Sequence, residues 1–110
     1  MSKTYYVYIL FSHRNGTLYT GVTNDIFRRI REYKNKRNPF SFSSKYKTDQ
    51  LGYLESYRYV HDAIAREKQI KSGPRENKMK LIESINPDWR DLTDELINLL
   101  NGLKMSWEPR

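Results

Sequence analysis

Tyr8, Tyr19, Arg29 and Glu67 are the residues of this chain whose types and spacing could support chemistry. A carboxylate can bind a divalent cation, a guanidinium can bind a phosphate, and a phenol can exchange a proton with water. Together such groups could hydrolyse a phosphodiester bond. The four residues are distant in the sequence, so the elements that carry them must bring them together.

The two tyrosines lie on segments that predict a β-hairpin. Tyr6–Leu10 contains aromatic and aliphatic residues with no strand breaker, and Thr17–Val22 follows an Asn-Gly pair, which is a strong turn signal. A connection with an even number of residues places both phenols on the same face of the hairpin. Tyrosine is common in strands for packing alone, so only its combination with the other residues indicates chemistry.

The length of the hairpin loop decides how the tyrosines are aligned. A four-residue loop from Ser12 to Asn15, which we favour, places Tyr8 directly opposite Tyr19. A two-residue turn at Asn15 and Gly16 would instead leave them offset along the strands. In both cases the two phenols share one surface.

Arg29 lies on a predicted amphipathic helix. Thr23-Asn24-Asp25 is a typical helix start, and the helix is expected to run to about Lys36. Its apolar stripe is Ile26, Ile30 and Tyr33, and Arg29 falls on the same side. Arg29 therefore borders the buried face, either as a phosphate-binding group or as a stem that packs over apolar surface with its head in water.

Glu67 lies on a second helix, predicted from His61-Asp62 to Ser72-Gly73, where we expect Gly73 to form a left-handed cap. The buried stripe of this helix contains Ala63 and Ile70, and Glu67 falls between them. A carboxylate in that position must be paired, protonated or bound to a cation. The simplest alternative to a functional role is an ordinary helix pair with Lys71.

The remaining segments complete a small mixed domain. We predict a loop over 38–50, a third strand over 51–59 with Leu54 and Tyr57 buried, and a helix over 74–85. The loop aromatics could stack on bases or, as we favour, anchor the loop to the core. We also predict a last helix over 94–103 with Thr93 as its cap. The residues expected to face inward in the last two helices are Met79, Ile82, Ile85, Leu96, Leu99, Leu100 and Leu103.

Composition limits the class of protein. A chain of 110 residues with 37% hydrophobic content predicts one domain with a single core, comprising a domain over 1–87 and a helix and tail over 88–110 that pack on it or extend it. The absence of cysteine excludes disulfides and thiolate sites, and two histidines make a histidine metal cage implausible. No stretch resembles a signal peptide or a membrane span, so we expect a cytoplasmic, soluble protein.

The formal net charge of +7 favours polyanions as partners. Basic residues concentrate in two blocks, over 28–37 and 66–80, and two more lysines lie in the loop at 45 and 47. Solvated helix faces and membrane-surface helices can have the same composition, so charge alone makes nucleic acid only the leading candidate.

These residues resemble the GIY-YIG nuclease superfamily. Its two defining tripeptides occur in diverged form as Tyr6-Val7-Tyr8 and Tyr19-Thr20-Gly21, and the similarity continues through residues 23–30 and 65–71. These four blocks stand in the family's order and lie within residues 5–85. The chain is most similar to the small stand-alone branch of the superfamily, for which Lys45-Tyr46 and residues 86–89 are also typical.

The resemblance implies an α+β fold, a three-stranded antiparallel sheet flanked by helices, and hydrolysis of nucleic acid with one Mg²⁺ or Mn²⁺ ion. DNA is the more expected substrate. Tyr8 and Tyr19 correspond to the motif tyrosines, either of which could be the general base, and Val22 stands where some family nucleases carry a lysine. The other implied catalytic positions are Arg29, Tyr33 and the metal ligand Glu67. The residues expected to bind nucleic acid are Arg28, Lys34, Lys45, Lys71 and Asn77.

Two other functions are compatible with the sequence. The first is a domain that binds nucleic acid through the same basic helices without cutting it, because family membership alone does not establish turnover. The second is an interaction module whose basic face binds an acidic protein. Binding of metal and nucleic acid discriminates between these possibilities.

Overall fold

The computed structural model describes residues 3–35 and 47–103, with side chains up to residue 99. These residues form three strands and four helices around one antiparallel sheet with strand order β2-β1-β3. The α+β fold with a three-stranded sheet is therefore confirmed. The elements are β1 (Tyr5–Phe11), β2 (Leu18–Thr23), α1 (Ile26–Asn35), β3 (Gln50–Tyr57), α2 (Val60–Ser72), α3 (Arg75–Ile85) and α4 (Thr93–Leu103).

Strand β1 is central because nearly all its side chains are apolar or aromatic and both of its faces are covered. Its alternating side chains divide the core into two clusters, one on each face of the sheet, in place of the single core that the length predicts. Helices α2 and α3 cover one face, whose cluster includes Val7, Ile9 and Phe11. Helices α1 and α4 cover the other, whose cluster includes Tyr8 and Leu10.

The hairpin loop differs from the predicted one by a single residue. It comprises His13–Gly16, Asn15 takes the left-handed conformation with φ 61°, and the Gly16 N–H donates to the His13 carbonyl at 2.8 Å. In the resulting register Tyr8 lies opposite Gly21, and Tyr19 lies opposite Leu10. The expected direct pairing of the two tyrosines is therefore wrong, whereas their location on one face is confirmed.

Strand β3 is shorter than predicted and buries different residues. A register shift between Ile9 and Leu10 of β1 brings Leu51 and Tyr53 opposite the buried part of that strand. These two residues are buried, whereas Leu54 and Tyr57 are only half-buried. The prediction that the latter two are core residues is wrong for this reason.

Several helix details also differ from the sequence-based expectation. Gly73 has extended backbone angles, φ −81° and ψ 165°, because the residue before a proline is driven away from the helical region. Asp91, not Thr93, caps α4 by accepting from the Thr93 N–H at 3.1 Å. Ile85 at the end of α3 and Leu99 on α4 are 53% and 62% exposed, so their expected inward orientation is wrong.

The orientation of α2 is fixed by one half-buried charge cluster. Glu55 on β3 accepts from Arg66 Nη2 at 2.9 Å and from the Tyr57 hydroxyl at 2.6 Å, and Tyr53 also donates to it. Burial opposes ionisation of Glu55, but these donors outweigh it and hold the pKa of that carboxyl below its usual range. Because Arg66 is bound towards β3, the next residue, Glu67, lies on another side of the helix.

No helix among the described ranges is both long enough and apolar enough to span a lipid bilayer.

Candidate active site

Three tyrosines from three elements form one cluster on the α1 side of the sheet. The hydroxyls of Tyr8 on β1 and Tyr33 on α1 lie 2.9 Å apart. Tyr19 on β2 completes the group, with its ring centroid 6.4 Å from that of Tyr8 and 5.8 Å from that of Tyr33. Three of the five positions that the resemblance assigns to catalysis are therefore in mutual contact.

Gly21 makes this cluster possible. It lies opposite Tyr8 in the sheet, and a Cβ at this position would overlap the Tyr8 ring, with the Cε2 atom 3.0 Å away. The ring therefore lies directly over the glycine backbone. The glycine of the second tripeptide provides space for the tyrosine of the first, a supporting role that the sequence analysis did not assign.

The environment of the cluster opposes ionisation of two of its phenols. Burial raises the pKa of Tyr8 to about 12, although the hydrogen bond with Tyr33 and the charge of Arg29 act in the opposite direction. Burial also raises the pKa of Tyr33, and the neighbouring Tyr8 and Tyr19 raise it further. Both phenols therefore keep their protons at neutral pH and can donate hydrogen bonds. Tyr19 is the least buried of the three.

Arg29 lies at the edge of the tyrosine cluster, as the helix pattern predicts. Its side chain is 40% exposed, and its Nη1 is 3.8 Å from Glu32 Oε1, which is a loose contact. The guanidinium is close enough to favour the phenolate form of Tyr8. An accessible, weakly paired guanidinium in this position can bind a phosphate.

Glu67 is on α2, and only 13% of its side chain is exposed. Lys71 pairs with it, with 2.6 Å between Nζ and Oε2, so the predicted helix pair is present. The same ammonium lies 5.9 Å from the centroid of the Tyr19 ring. The contact connects α2 to the tyrosine cluster around the edge of β2, so the pair belongs to the same region as the phenols.

Glu67 could bind a divalent cation only in a site where the protein supplies few of the ligands. No cluster of three or more His, Cys, Asp or Glu residues occurs within the described ranges. Mg²⁺ is commonly bound by one or two carboxylates together with substrate phosphates and several waters. A single, mostly buried carboxylate suits that mode, and it does not suit an all-protein cage.

The residues expected to bind nucleic acid have different environments. Arg28 is 64% exposed and pairs with Glu32, whereas Lys34 pairs with Asp91, the capping residue of α4. Asn77 is exposed and lines a groove between α2 and α3. Lys71 belongs to the site itself, and Lys45 lies outside the described residues.

The model of the GIY-YIG catalytic domain matches residues 4–80. This chain belongs to the GIY-YIG family. The matched range contains all five positions assigned to catalysis and ends shortly after α3 begins. Membership in this nuclease family also makes nucleic acid the expected class of substrate.

Small relatives align with most of this chain. The UPF0213 protein of Staphylococcus saprophyticus is 35% identical over 78 residues, which cover 71% of this chain and 93% of the relative. The UPF0213 protein of Haloquadratum walsbyi is 36% identical over 83 residues, which cover 76% of this chain and 91% of the relative. The match therefore spans nearly the whole of these small proteins.

A solved structure has the same fold. The solution NMR structure of a UPF0213 protein from Bacillus halodurans covers 82% of this chain and 94% of its own, with a TM-score of 0.51 and 24% identity. At that identity the likeness concerns the GIY-YIG fold alone.

Proposed function

We propose that this protein is an endonuclease that hydrolyses phosphodiester bonds of nucleic acid with one Mg²⁺ or Mn²⁺ ion, and that DNA is its substrate. The observation that carries the proposal is the convergence at the β2 edge. Arg29 on α1 lies close enough to act on Tyr8 of the tyrosine cluster. Glu67 on α2 is bound to Lys71, whose ammonium lies 5.9 Å from the Tyr19 ring centroid.

Arg29 would bind the scissile phosphate. Its planar donors suit two phosphate oxygens, and its charge would offset the negative charge that develops when the phosphorus becomes pentacovalent. The loose contact with Glu32 at 3.8 Å leaves the guanidinium available for this role. The tyrosine cluster would lie beside the bound phosphate.

The three phenols would have different roles, two as hydrogen-bond donors and one as the general base. Tyr8 and Tyr33 keep their protons and would donate hydrogen bonds that orient the phosphate or the attacking water. Tyr19, the least buried of the three, is the better candidate for the general base, which in its phenolate form would accept a proton from that water. Lys71, whose ammonium lies 5.9 Å from its ring centroid, supplies positive charge at this point.

Glu67 would hold the divalent ion. The bound ion would withdraw charge from the phosphate and stabilise the leaving oxygen. The Lys71 ammonium on Oε2 would compete with the ion for Glu67, and a substrate phosphate is a suitable new partner for an ammonium that the ion displaces. Metal and nucleic acid would thus bind together more favourably than either alone.

Cleavage assays test the proposal. Labelled flapped, branched, single-stranded and duplex DNA and RNA would be incubated with Mg²⁺ or Mn²⁺ and with the wild type, Glu67→Ala or Arg29→Ala. The matched controls are Glu95→Ala and Arg90→Ala, an exposed ion pair near the start of α4. We expect metal-dependent cutting that falls by about 100-fold or more in the site variants and is unchanged in the controls.

The assay also separates the other two functions. Binding of these substrates without any cutting would replace the endonuclease by a domain that only binds nucleic acid. Absence of both metal and nucleic-acid binding would favour a protein-interaction module. Equal cutting by the wild type and the site variants would mean that the active site lies elsewhere.

A further inference from the structure

Val60, Ile64, Glu67 and Lys71 form one stripe on α2, because their spacings are four, three and four residues. The second half of this stripe is the Glu67–Lys71 pair of the candidate active site. The first half is apolar and accessible, since Val60 is 37% exposed and Ile64 is 36% exposed. An apolar surface thus begins about one helical turn from the proposed metal ligand.

Val60 and Ile64 form part of a shallow groove of about 290 Å³ between α2 and the end of the β-hairpin. Tyr5 and Val22 add further apolar surface. On the opposite side the groove is lined by Asn24 and by Arg29, the arginine that approaches Tyr8. A ligand in this groove would therefore contact apolar side chains and the proposed phosphate-binding guanidinium at the same time.

Such a combination suits one chemical group in a nucleic acid, which is an unpaired base attached to a bound phosphate. A flat apolar ring can pack on aliphatic and aromatic side chains, as it does in proteins that bind single strands. The exposed amide of Asn24 can hydrogen-bond to a base edge. A base inside a duplex is stacked and paired, so its faces cannot reach this surface. The volume lies near the lower end of small-molecule pockets, which suits one base.

We propose that the groove lined by Tyr5, Val22, Val60 and Ile64 binds the unpaired nucleotide next to the phosphate held by Arg29, so that the protein selects flapped, branched or single-stranded substrates over continuous duplex. The inference rests on the proposed function and adds the substrate class. An isolated exposed isoleucine would carry no such meaning. The apolar stripe continues directly into the Glu67–Lys71 pair, and the groove contains Arg29.

The test measures binding without cleavage. All proteins carry Glu67→Gln, and EDTA is present. One probe is a DNA duplex with a single-stranded flap whose first unpaired base is 2-aminopurine, and the other is the fully paired duplex. Ile64→Gln and Val60→Gln alter the groove while keeping good helix propensity. Ile97→Gln is the matched control, since Ile97 on α4 is also 37% exposed and does not line the groove.

We expect the groove variants to lose roughly tenfold in affinity for the flap, the order expected for losing the packing of one base. Duplex binding should change by less than about twofold, and the fluorescence change of 2-aminopurine on binding should be lost. Ile97→Gln should match the parent on both probes. Circular dichroism and thermal unfolding verify that every variant is folded.

Two results would overturn the inference. If the parent binds nucleic acid and the groove variants behave like Ile97→Gln, the groove is not a base site, while the proposed nuclease function is unaffected. Equal losses on flap and duplex would likewise exclude selection of an unpaired nucleotide. If no protein binds either probe, the inference fails, and the metal-dependent cleavage assay decides the proposed function separately.

Discussion

At the scale of single residues, Lys71 contacts two groups of the candidate site, Glu67 on its own helix and the Tyr19 ring on β2. Some GIY-YIG nucleases carry a lysine directly after the second tripeptide, where this chain has Val22. Lys71 approaches Tyr19 from α2 instead, and it is bound to Glu67 at 2.6 Å. The ammonium therefore occupies one of the two carboxylate oxygens that a divalent ion could use. The free protein should consequently bind metal weakly.

Replacement of Lys71 by methionine should strengthen metal binding in the absence of nucleic acid. The substitution removes the competing charge, and the expected gain in Mn²⁺ affinity is about two- to fivefold, which corresponds to the free energy of a partly exposed ion pair. Isothermal titration calorimetry measures it directly. Lys68→Met, which changes an exposed lysine on the same helix, is the control. If Lys71→Met binds Mn²⁺ no more tightly than Lys68→Met does, Lys71 does not compete for Glu67.

The protonated state of the buried phenols predicts how stability depends on pH. The pKa of Tyr8 is raised by burial to about 12, above the value of about 10 in an unfolded chain. The contribution of protonated Tyr8 to the free energy of unfolding is therefore fully present below about pH 10, and it is lost as the pH rises towards 12. Tyr33 and Tyr53, whose pKa values are raised as well, act with the same sign.

Tyr8→Phe should reduce this alkaline loss of stability. Over the whole interval the reduction should reach about 2–3 kcal/mol, because phenylalanine has no proton to release. Urea unfolding at several pH values between 8 and 12 gives the free energy of unfolding of each protein. The control is Tyr59→Phe, which changes a ring that is 61% exposed. Parallel curves for Tyr8→Phe and the wild type would show that Tyr8 does not remain protonated in the folded protein.

At the scale of elements, the pairing of β1 with β2 positions the tyrosine cluster. The register places Tyr8 over Gly21, and the Tyr8 ring is only 1% exposed and bound to Tyr33. A side chain at position 21 can be accommodated only if this ring moves. The strand pairing and the geometry of the tyrosine cluster are thus coupled at Gly21.

Gly21→Ala should therefore impair both stability and activity. The added methyl group displaces the Tyr8 ring, and overpacking of this kind typically costs about 1–3 kcal/mol. Thermal unfolding and the cleavage assay provide the two measurements. Gly73→Ala is the matched control, since a Cβ there comes no closer than 3.6 Å to its neighbours. A Gly21→Ala protein as stable and active as Gly73→Ala would contradict the close packing of Tyr8 on Gly21.

The elements that the sequence predicted well are those with a strong local pattern. The stripe of Ile26, Ile30 and Tyr33 gives α1 and the position of Arg29, because helical periodicity alone sorts these residues. The hairpin register depends on the left-handed backbone of Asn15. Moving the loop by one residue shifts the strand pairing by two residues, which leaves each side chain on the same face, so hydrophobic alternation cannot distinguish the two registers. The approach of Lys71 to Tyr19 joins two elements that are distant in the chain, so no local pattern encodes it.

At the scale of the whole molecule, the charge of +7 should make nucleic-acid binding strongly dependent on salt. Each phosphate neutralised by a lysine or arginine releases a counterion, so the logarithm of affinity should fall linearly with the logarithm of salt concentration. The cations are not equivalent in this respect. Arg28 has a side chain that is 64% exposed, whereas the Lys34 ammonium is bound to Asp91, and the side chain is 34% exposed.

Exposure and ion pairing thus distinguish basic residues that are available to bind substrate from basic residues that stabilise the fold. Arg28→Ala should weaken DNA binding and reduce the salt slope by about one. Lys34→Ala should leave the slope unchanged and lower the stability instead, because Lys34 helps to keep the pKa of Asp91 below its usual range, and Asp91 also accepts from the Leu51 N–H at 3.0 Å. Fluorescence anisotropy at salt concentrations between about 50 and about 300 mM measures the slopes. If Lys34→Ala reduces the slope as much as Arg28→Ala does, Lys34 leaves Asp91 to contact phosphate, and the basic surface of α1 extends further along the helix than its ion pairs indicate.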